Sequence, residues 1–548
     1  MGRKLDRRSL FRYGAVGGAL AALLPALERG EGAATAEETP SALAFELEET
    51  TFGDLQKRME TGADTARTIA EKYLARIDAL DRSGPSLHSV LEINPDALQI
   101  AGGLDAERAR GSLRGALHGI PILLKDNVAT ADRMSSAAGS LALEGFRAPK
   151  DSFVARRLRE AGAVILGKTN LSEWANFRST HSSSGWSGRG GQCLNPYALD
   201  RTPSGSSSGS GAAVAANFAA AAIGTETDGS IVSPSNNNAL VGVKPTVGLL
   251  SRVGIVPISH TQDTAGPMTR SVRDAAILLS ALAGLDPEDA ATAMNPAKAA
   301  VDYAAHLDEN GLKGARIGVP RKSLFGYSPA ADRLAEAAIG VLRKLGATVV
   351  DPADIATVDD FGKTELEVLL YEFKADLNSY LAALGPGAPV RSLKEVIEFN
   401  ERHRDREMPF FGQEILEMAE KKGPLTDRAY RKALENDTRG ARGKGIDAVM
   451  EKHRLDALVA PTGAPASLID LVNGDYGSGG SSTVPAIAGY PHVTVPMGFA
   501  YGLPVGLSFF GRPWSEAALF KFAYAYEQAT RHRKPPKFLK TAELTVRL

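Results

Sequence analysis

The chain has 548 residues, 43% of them hydrophobic and 23% charged, with a formal net charge of -1. That length allows a large core or several domains, and the near-neutral balance gives no electrostatic reason to expect a nucleic-acid or anionic-membrane partner. The single cysteine, Cys193, cannot form an internal disulfide, and with no histidine within ten positions it reads as a small buried filler rather than a nucleophile.

The first segment has the parts of an export signal. A basic region from Arg3 to Arg12 precedes an apolar run from Ala15 to Leu27 and a small-x-small cleavage site at Ala34-Thr35-Ala36. The run is too short to span a bilayer as a helix. The Arg7-Arg8 pair in "DRRSLFR" resembles a twin-arginine address. Residues 1–36 are therefore expected to direct export to the periplasm or beyond.

Helical spacing fills the stretch from Leu43 to Arg82, most plainly in "TARTIAEKYLARIDALDR". "GIPILLKDN" reads as a buried strand that ends in polar residues at Lys125. "SFVARRLREAGAVILGKTN" reads as a helix, a Gly turn and a strand at Val164–Leu166. "AAVAANFAAAAIG" is almost wholly apolar and is expected to be a buried helix. "RDAAILLSALAG" is a further helix. "GARIGVP" and "GATVVDP" are strands on either side of a helix around Asp332–Leu345, and "LDALVAPT" and "HVTVPMGF" are late strands. This alternation predicts an α/β fold with both sheet faces covered. The stretch from Asp286 to Asn310 and the helices between Glu365 and His453 are expected to be peripheral. "NGDYGSGGSS", residues 473–482, has the composition of a flexible loop.

The nine histidines are scattered, without HExxH or CxxC spacing, so no metal site is expected. Two serine loops are the candidates for chemistry. In the first, "PSGSSSGSG", Gly205 to Gly209 fits the G-x-S-x-G pattern with Ser207 at its centre. That pattern needs a strand directly before the serine, and "LNPYALDRTPSG" is loop chemistry. A triad would also need a later histidine; His492 is the best placed, yet it reads as the start of a strand. In the second loop, "IGTETDGSIVSP", Ser230 follows Thr227-Asp228-Gly229. The glycine allows an unusual backbone angle, and successive N–H groups in such a turn can form an oxyanion site. Lys125, at the end of an apolar strand, is placed to be a neutral base, or else to pair with Asp126.

Several segments resemble the amidase signature family: "GIPILLKDN", "ILGKTNLSEWANF", "PSGSSSGSGAAVAA", "GTETDGSIVSP", "VGVKPTVGLLSR", "DTAGPMTRSVRDAA" and "VPAIAGYPHVTVPMGFAYGLPVGLSFFGRP". They occur in the family's order, and the family domain would span residues 43–548. The resemblance implies one large domain built on a mixed, mostly parallel twisted sheet with helices on both faces. It places the catalytic lysine at Lys125, the cis-peptide bridging serine at Ser206 and the nucleophile at Ser230, with backbone N–H groups of Thr227, Asp228, Gly229 and Ser230 as the oxyanion site. It implies an acyl-enzyme mechanism that needs no cofactor, metal or obligatory protein partner.

Within that family "SEWANFRS", "GWSGRGGQ" and "LLYEFKADLNSYL" are similar to segments of bacterial peptide amidases, which implies release of ammonia from the C-terminal amide of a peptide. Amidases of small or fatty amides, and amidotransferase components, are the alternatives. The pattern departs from the family's at Ser204 and Ser208, where glycines are usual, and at Asn236-Asn237-Asn238, where small residues are usual. Lys168 and Lys244 also fall in family motifs and are expected to be structural.

Overall fold

A computed structural model describes residues 45–297, 301–477 and 479–544. The export signal expected over residues 1–36 lies outside them. The described chain is built on one sheet of 11 strands. In chain order these are β1 (Val90–Ile93), β2 (Pro121–Lys125), β3 (Val164–Thr169), β4 (Ala221–Glu226), β5 (Val241–Lys244), β6 (Thr264–Thr269), β7 (Arg316–Gly318), β8 (Thr348–Val350), β9 (Ala457–Pro461), β10 (His492–Ala500) and β11 (Leu503–Phe510). Across the sheet they lie in the order β1-β3-β2-β4-β6-β5-β10-β11-β9-β7-β8. The expected large α/β domain with a mixed sheet is what forms. Its parallel contacts lie toward the flanks, β3–β2–β4 on one side and β9–β7–β8 on the other, joined by antiparallel strands between them.

Every residue of β2 and of β4 is buried. A strand covered on both faces can be apolar throughout rather than alternating, which is why "PILLK" and "AAIGTE" show no period of two. The two strands run parallel, with Leu124 beside Ile223. Their C-terminal ends, Lys125 and Glu226, therefore emerge at the same edge, where open α/β sheets place their ligands.

The apolar run after the serine-rich loop is not one helix. Helix α1 (Ser208–Ala215) ends at Ala216, Asn217 turns the chain with φ 60°, and β4 begins at Ala221. Because all its residues are buried, neither a period of 3.6 nor of 2 shows. Asn217 is the signal that marks the break, since Asn tolerates the left-handed region better than bulkier residues do. Its amide oxygen accepts the Glu49 N–H at 2.8 Å. Ser230 thus follows a buried strand and opens helix α2 (Val232–Asn237), rather than following a helix. The helices beyond Glu365 are not peripheral either. Helix α3 (Thr364–Ala383) packs Leu369, Leu370 and Phe373 with Trp174, Val256 and Ile258 in a second apolar cluster, and its Asp376 and Tyr380 wall a cavity beside the ends of β2 and β4.

Candidate active site

Lys125 ends β2 fully buried. Its Nζ lies 2.8 Å from Ser206 Oγ, 2.8 Å from Thr225 Oγ1 and 3.3 Å from the Thr225 carbonyl oxygen. It does not pair with Asp126, whose carboxylate binds the Arg189 guanidinium at 2.9 Å. Burial pushes the Lys125 ammonium down to about 7, against the opposing pull of Asp263 and Glu226. A lysine so placed is largely neutral just above that pH and has a lone pair to accept a proton. The Gly205–Ser206 peptide bond is cis. The loop carrying it is held by the asparagine triplet: Asn238 Nδ2 donates to the Pro203 carbonyl at 3.0 Å and Asn237 Nδ2 to that of Thr202 at 3.3 Å. The departure at positions 236–238 therefore has a structural use that sequence reading missed.

The turn from Thr227 to Ser230 is pinned by the side chains around it. Glu226 Oε2 accepts the N–H groups of Ile231 at 2.8 Å and Val232 at 3.0 Å. Thr227 Oγ1 donates to Asp263 Oδ1 at 2.6 Å, and the Asp263 carboxylate in turn accepts the Ile258 and Ser259 N–H groups. Thr483 Oγ1 donates to Asp228 Oδ2 at 2.8 Å. Gly229 has φ 80°, and a β-carbon there would lie 3.0 Å from both Ser233 Oγ and Ser482 Oγ, so a larger residue is strained twice over. Among the described residues no backbone carbonyl pairs with the N–H groups of Asp228, Gly229 or Ser230. Ser230 touches the other serine loop through its carbonyl, which accepts the Ser207 N–H at 3.2 Å.

Ser207, the centre of the G-x-S-x-G match, is engaged elsewhere. Its hydroxyl donates to the Thr225 carbonyl at 3.1 Å and accepts the Thr225 N–H at 3.2 Å. His492 heads β10, as its sequence context suggested; its Nε2 lies 2.5 Å from Ser508 Oγ, and burial pushes its pKa down to about 3. Lys168 and Lys244 are buried and hydrogen-bonded to backbone carbonyls, of Val128 and Pro245 respectively. Cys193 is buried, and burial raises its thiol pKa.

A cavity of about 590 Å³ opens beside Asn127, Thr225 and Thr227, with Val256, Ile258 and Tyr380 on its apolar wall. At its rim His260, Glu372 and Asp376 bring ligand-type atoms within 4.8 Å of one another, a grouping that sequence spacing could not reveal. The donor set suits an ion pair better than a metal. Glu372 already accepts hydrogen bonds from Tyr430, Ser259 and Thr261, and His260 Nδ1 lies 2.9 Å from Asp376 Oδ2. Although burial opposes its charge, Asp376 and Glu372 raise the His260 pKa.

Residues 68–520 match the family described as Amidase. The chain belongs to the amidase family. A probable amidase of Arabidopsis thaliana is 42% identical over 511 residues, covering 90% of this chain and 93% of its own. A glutamyl-tRNA(Gln) amidotransferase component of Moorella thermoacetica is 36% identical, with 89% and 97% covered. Among solved structures, native peptide amidase from Stenotrophomonas maltophilia superposes with a TM-score of 0.86 at 53% identity, covering 90% of this chain and 99% of that one. A peptide amidase in complex with the competitive inhibitor chymostatin matches with a TM-score of 0.87 at the same 53% identity, with 89% and 99% covered. This amidase is thus a hydrolase of amide C–N bonds. Among its described residues no helix is long and apolar enough to cross a membrane.

Proposed function

We propose that this amidase releases ammonia from the C-terminal amide of peptides through a Ser230–Ser206–Lys125 relay. The observation that carries the relay is the 2.8 Å approach of Lys125 Nζ to Ser206 Oγ at a fully buried strand end, where burial holds the lysine at about 7. Ser230 Oγ attacks the amide carbonyl and its proton passes through Ser206 to neutral Lys125. The tetrahedral oxyanion is held by backbone N–H groups of the Thr227–Ser230 turn. Collapse of the intermediate breaks the C–N bond, and the proton returns along the relay to the departing nitrogen. Water then attacks the acyl-enzyme, loses its proton to the same relay, and Ser230 departs with that proton restored.

The peptide-amide reading is supported by the 53% identity to structures of peptide amidase over nearly their whole length. Its test compares a dipeptide amide, the same dipeptide with a free carboxylate, and a long-chain fatty amide. Ammonia is expected at an appreciable rate from the first alone, with the internal peptide bond intact. Preference for the fatty amide overturns the substrate reading and leaves the relay to be tested by substitution.

Residues 1–36 we take as a twin-arginine export signal, supported by Arg7-Arg8 and the short apolar run that follows. Replacing both arginines with lysine should retain the protein in the cytoplasm; unchanged export of that variant would point to another route.

A further inference from the structure

The Thr227–Ser230 turn can offer its N–H groups to an oxyanion only if its peptide planes are held. The Thr227–Asp228 peptide is trans, so its carbonyl and its N–H point in opposite directions. Whatever holds the Thr227 carbonyl therefore also aims the Asp228 N–H. The buried Gln262 holds it: Nε2 donates to the Thr227 carbonyl at 3.3 Å and to Glu365 Oε1 at 3.1 Å. A carbonyl can only accept, which fixes the end of the Gln262 amide that faces the turn. Both N–H donors of that amide are then committed, one to the turn and one to Glu365 in the first turn of α3.

Glu365 reaches the turn by a second route, because its carboxyl hydrogen-bonds that of Asp228. Asp228 Oδ2 accepts the Thr483 hydroxyl, and among the described residues no N–H group or hydroxyl reaches the buried Oδ1. Ionised carboxylates only accept, so two of them cannot hydrogen-bond each other. The contact requires one proton, and like charges at that separation could not both persist. Its surroundings put the proton on Glu365. Burial raises the pKa of both groups, and the charges of Asp228 and Asp437 raise that of Glu365 further, well above the usual carboxylate range. The Gln262 N–H and the start of α3 pull Glu365 the other way, less strongly. Asp228 is drawn back toward its charged form by Thr483 and by Lys244 at the end of β5, against the nearby charge of Glu226.

We propose that Glu365, held as a neutral carboxylic acid, is a positioning residue for the oxyanion turn, donating to Asp228 and accepting from Gln262 so that the Asp228 N–H stays aimed. The inference rests on the role of the Thr227–Ser230 turn proposed above. It adds that the turn is braced from α3, a helix that carries no member of the relay, and that the brace works only while one proton sits between two acids.

The test compares Glu365→Gln with Glu365→Leu at pH 8, by kcat, KM and thermal melting, and adds an infrared difference spectrum of the unaltered protein against the glutamine variant. Glutamine reproduces the neutral acid, with an N–H for Asp228 and an oxygen for Gln262, and should keep kcat within about threefold. Leucine supplies neither and should lower kcat by about tenfold or more while KM changes less than about threefold, because an oxyanion donor acts in the transition state. The difference spectrum should show the carbonyl stretch of a protonated carboxyl that the glutamine variant lacks. Should the leucine variant not fold, Glu365→Ala takes its place. Equal losses in the glutamine and leucine variants, near-normal kcat in the leucine variant, or no protonated-carboxyl band each overturn the role of Glu365 while Ser230→Ala remains inactive. An active Ser230→Ala overturns the reading of the turn and this inference with it.

Discussion

The two serine loops around α1 use their polar side chains in opposite ways. In the serine-rich loop most hydroxyls are committed to the scaffold. Ser207 closes a two-way bridge with the Thr225 backbone, and Ser210 donates to the Ile223 carbonyl at 3.1 Å. Ser206 alone of these lies against Lys125. In the Thr227–Ser230 turn the single serine is surrounded by Glu226, Thr227 and Asp228, which hold the backbone around it. Ser230 is also the least buried of the three serines at issue, 9% exposed against 0% for Ser206 and Ser207. A hydroxyl spent on a buried backbone pair is structure. A hydroxyl on a pinned turn that keeps some access to solvent is placed to react.

Substitutions in the turn should therefore cost activity, and substitutions in the loop, Ser206 apart, should cost stability. The largest effect is expected at Ser230. Ser230→Ala should lower kcat by about four to six orders of magnitude, as loss of a covalent nucleophile does elsewhere, with little change in melting temperature. Near-normal turnover in that variant would break the assignment of the turn as the reacting loop.

Lys125 comes next. Protonated lysine cannot accept the proton that Ser206 passes on, so kcat/KM should fall as pH drops through about 7 and reach a plateau above it. Lys125→Arg stays charged at every accessible pH. It should lose roughly a hundred- to ten-thousandfold in kcat and show no recovery at high pH, since that is what a general base typically supplies. A titration of kcat/KM from pH 5 to 10 on both proteins checks this, and an active arginine variant removes lysine from the role of base.

Glu226 should be intermediate. Its carboxylate takes the first two N–H groups beyond Ser230 and so sets where the turn ends. Glu226→Leu leaves both without that acceptor, and a displacement of Ser230 by a fraction of an ångström should lower kcat/KM by about ten- to a hundredfold. Glu226→Gln keeps an oxygen for the two groups and should lose less. Equal losses in the two variants would show that the charge of Glu226, rather than its hydrogen bonds, matters.

Much of this frame was legible in the sequence, and the exceptions share a cause. β2 ending at Lys125, the strands at 316–318 and 348–350, and β9 and β10 were all signalled by apolar runs closed by Gly, Pro or charge. The "AAVAANFAAAAIG" run misled because a segment buried on every side loses the periodicity that separates helix from strand. Helix α3 looked peripheral because nothing in "LLYEFKADLNSYL" reveals that Tyr380 and Asp376 face a cavity formed by residues far away in the chain. Thr225 and Asn127 stand in the quoted motifs, yet the contacts that join Thr225 to Lys125 and to Asn127 span up to 100 positions and depend on the parallel pairing of β2 with β4. Polar residues at the end of an otherwise apolar buried strand were the available signal. "KDN" after "PILL" and "TET" after "AAIG" both carry it.

The smallest effect on activity, and the sharpest test of the contrast between loops, is expected at Ser207. The G-x-S-x-G pattern marks it as a nucleophile, whereas its geometry marks it as a clamp between α1 and β4. Ser207→Ala removes both hydrogen bonds to the Thr225 backbone and leaves a buried N–H and a buried carbonyl each one partner short. Unmet buried groups cost about 1–3 kcal/mol, so the denaturant midpoint should fall measurably. The Thr225 carbonyl still has Lys125 as a donor, and Thr225 Oγ1 keeps both of its donors. The lysine therefore stays in place, and kcat should remain within about tenfold of the unaltered protein, far from the loss expected at a nucleophile. Loss of activity comparable to that of Ser230→Ala, with an unchanged midpoint, would reverse the roles of the two loops and return the chemistry to the pattern that the sequence displays most openly.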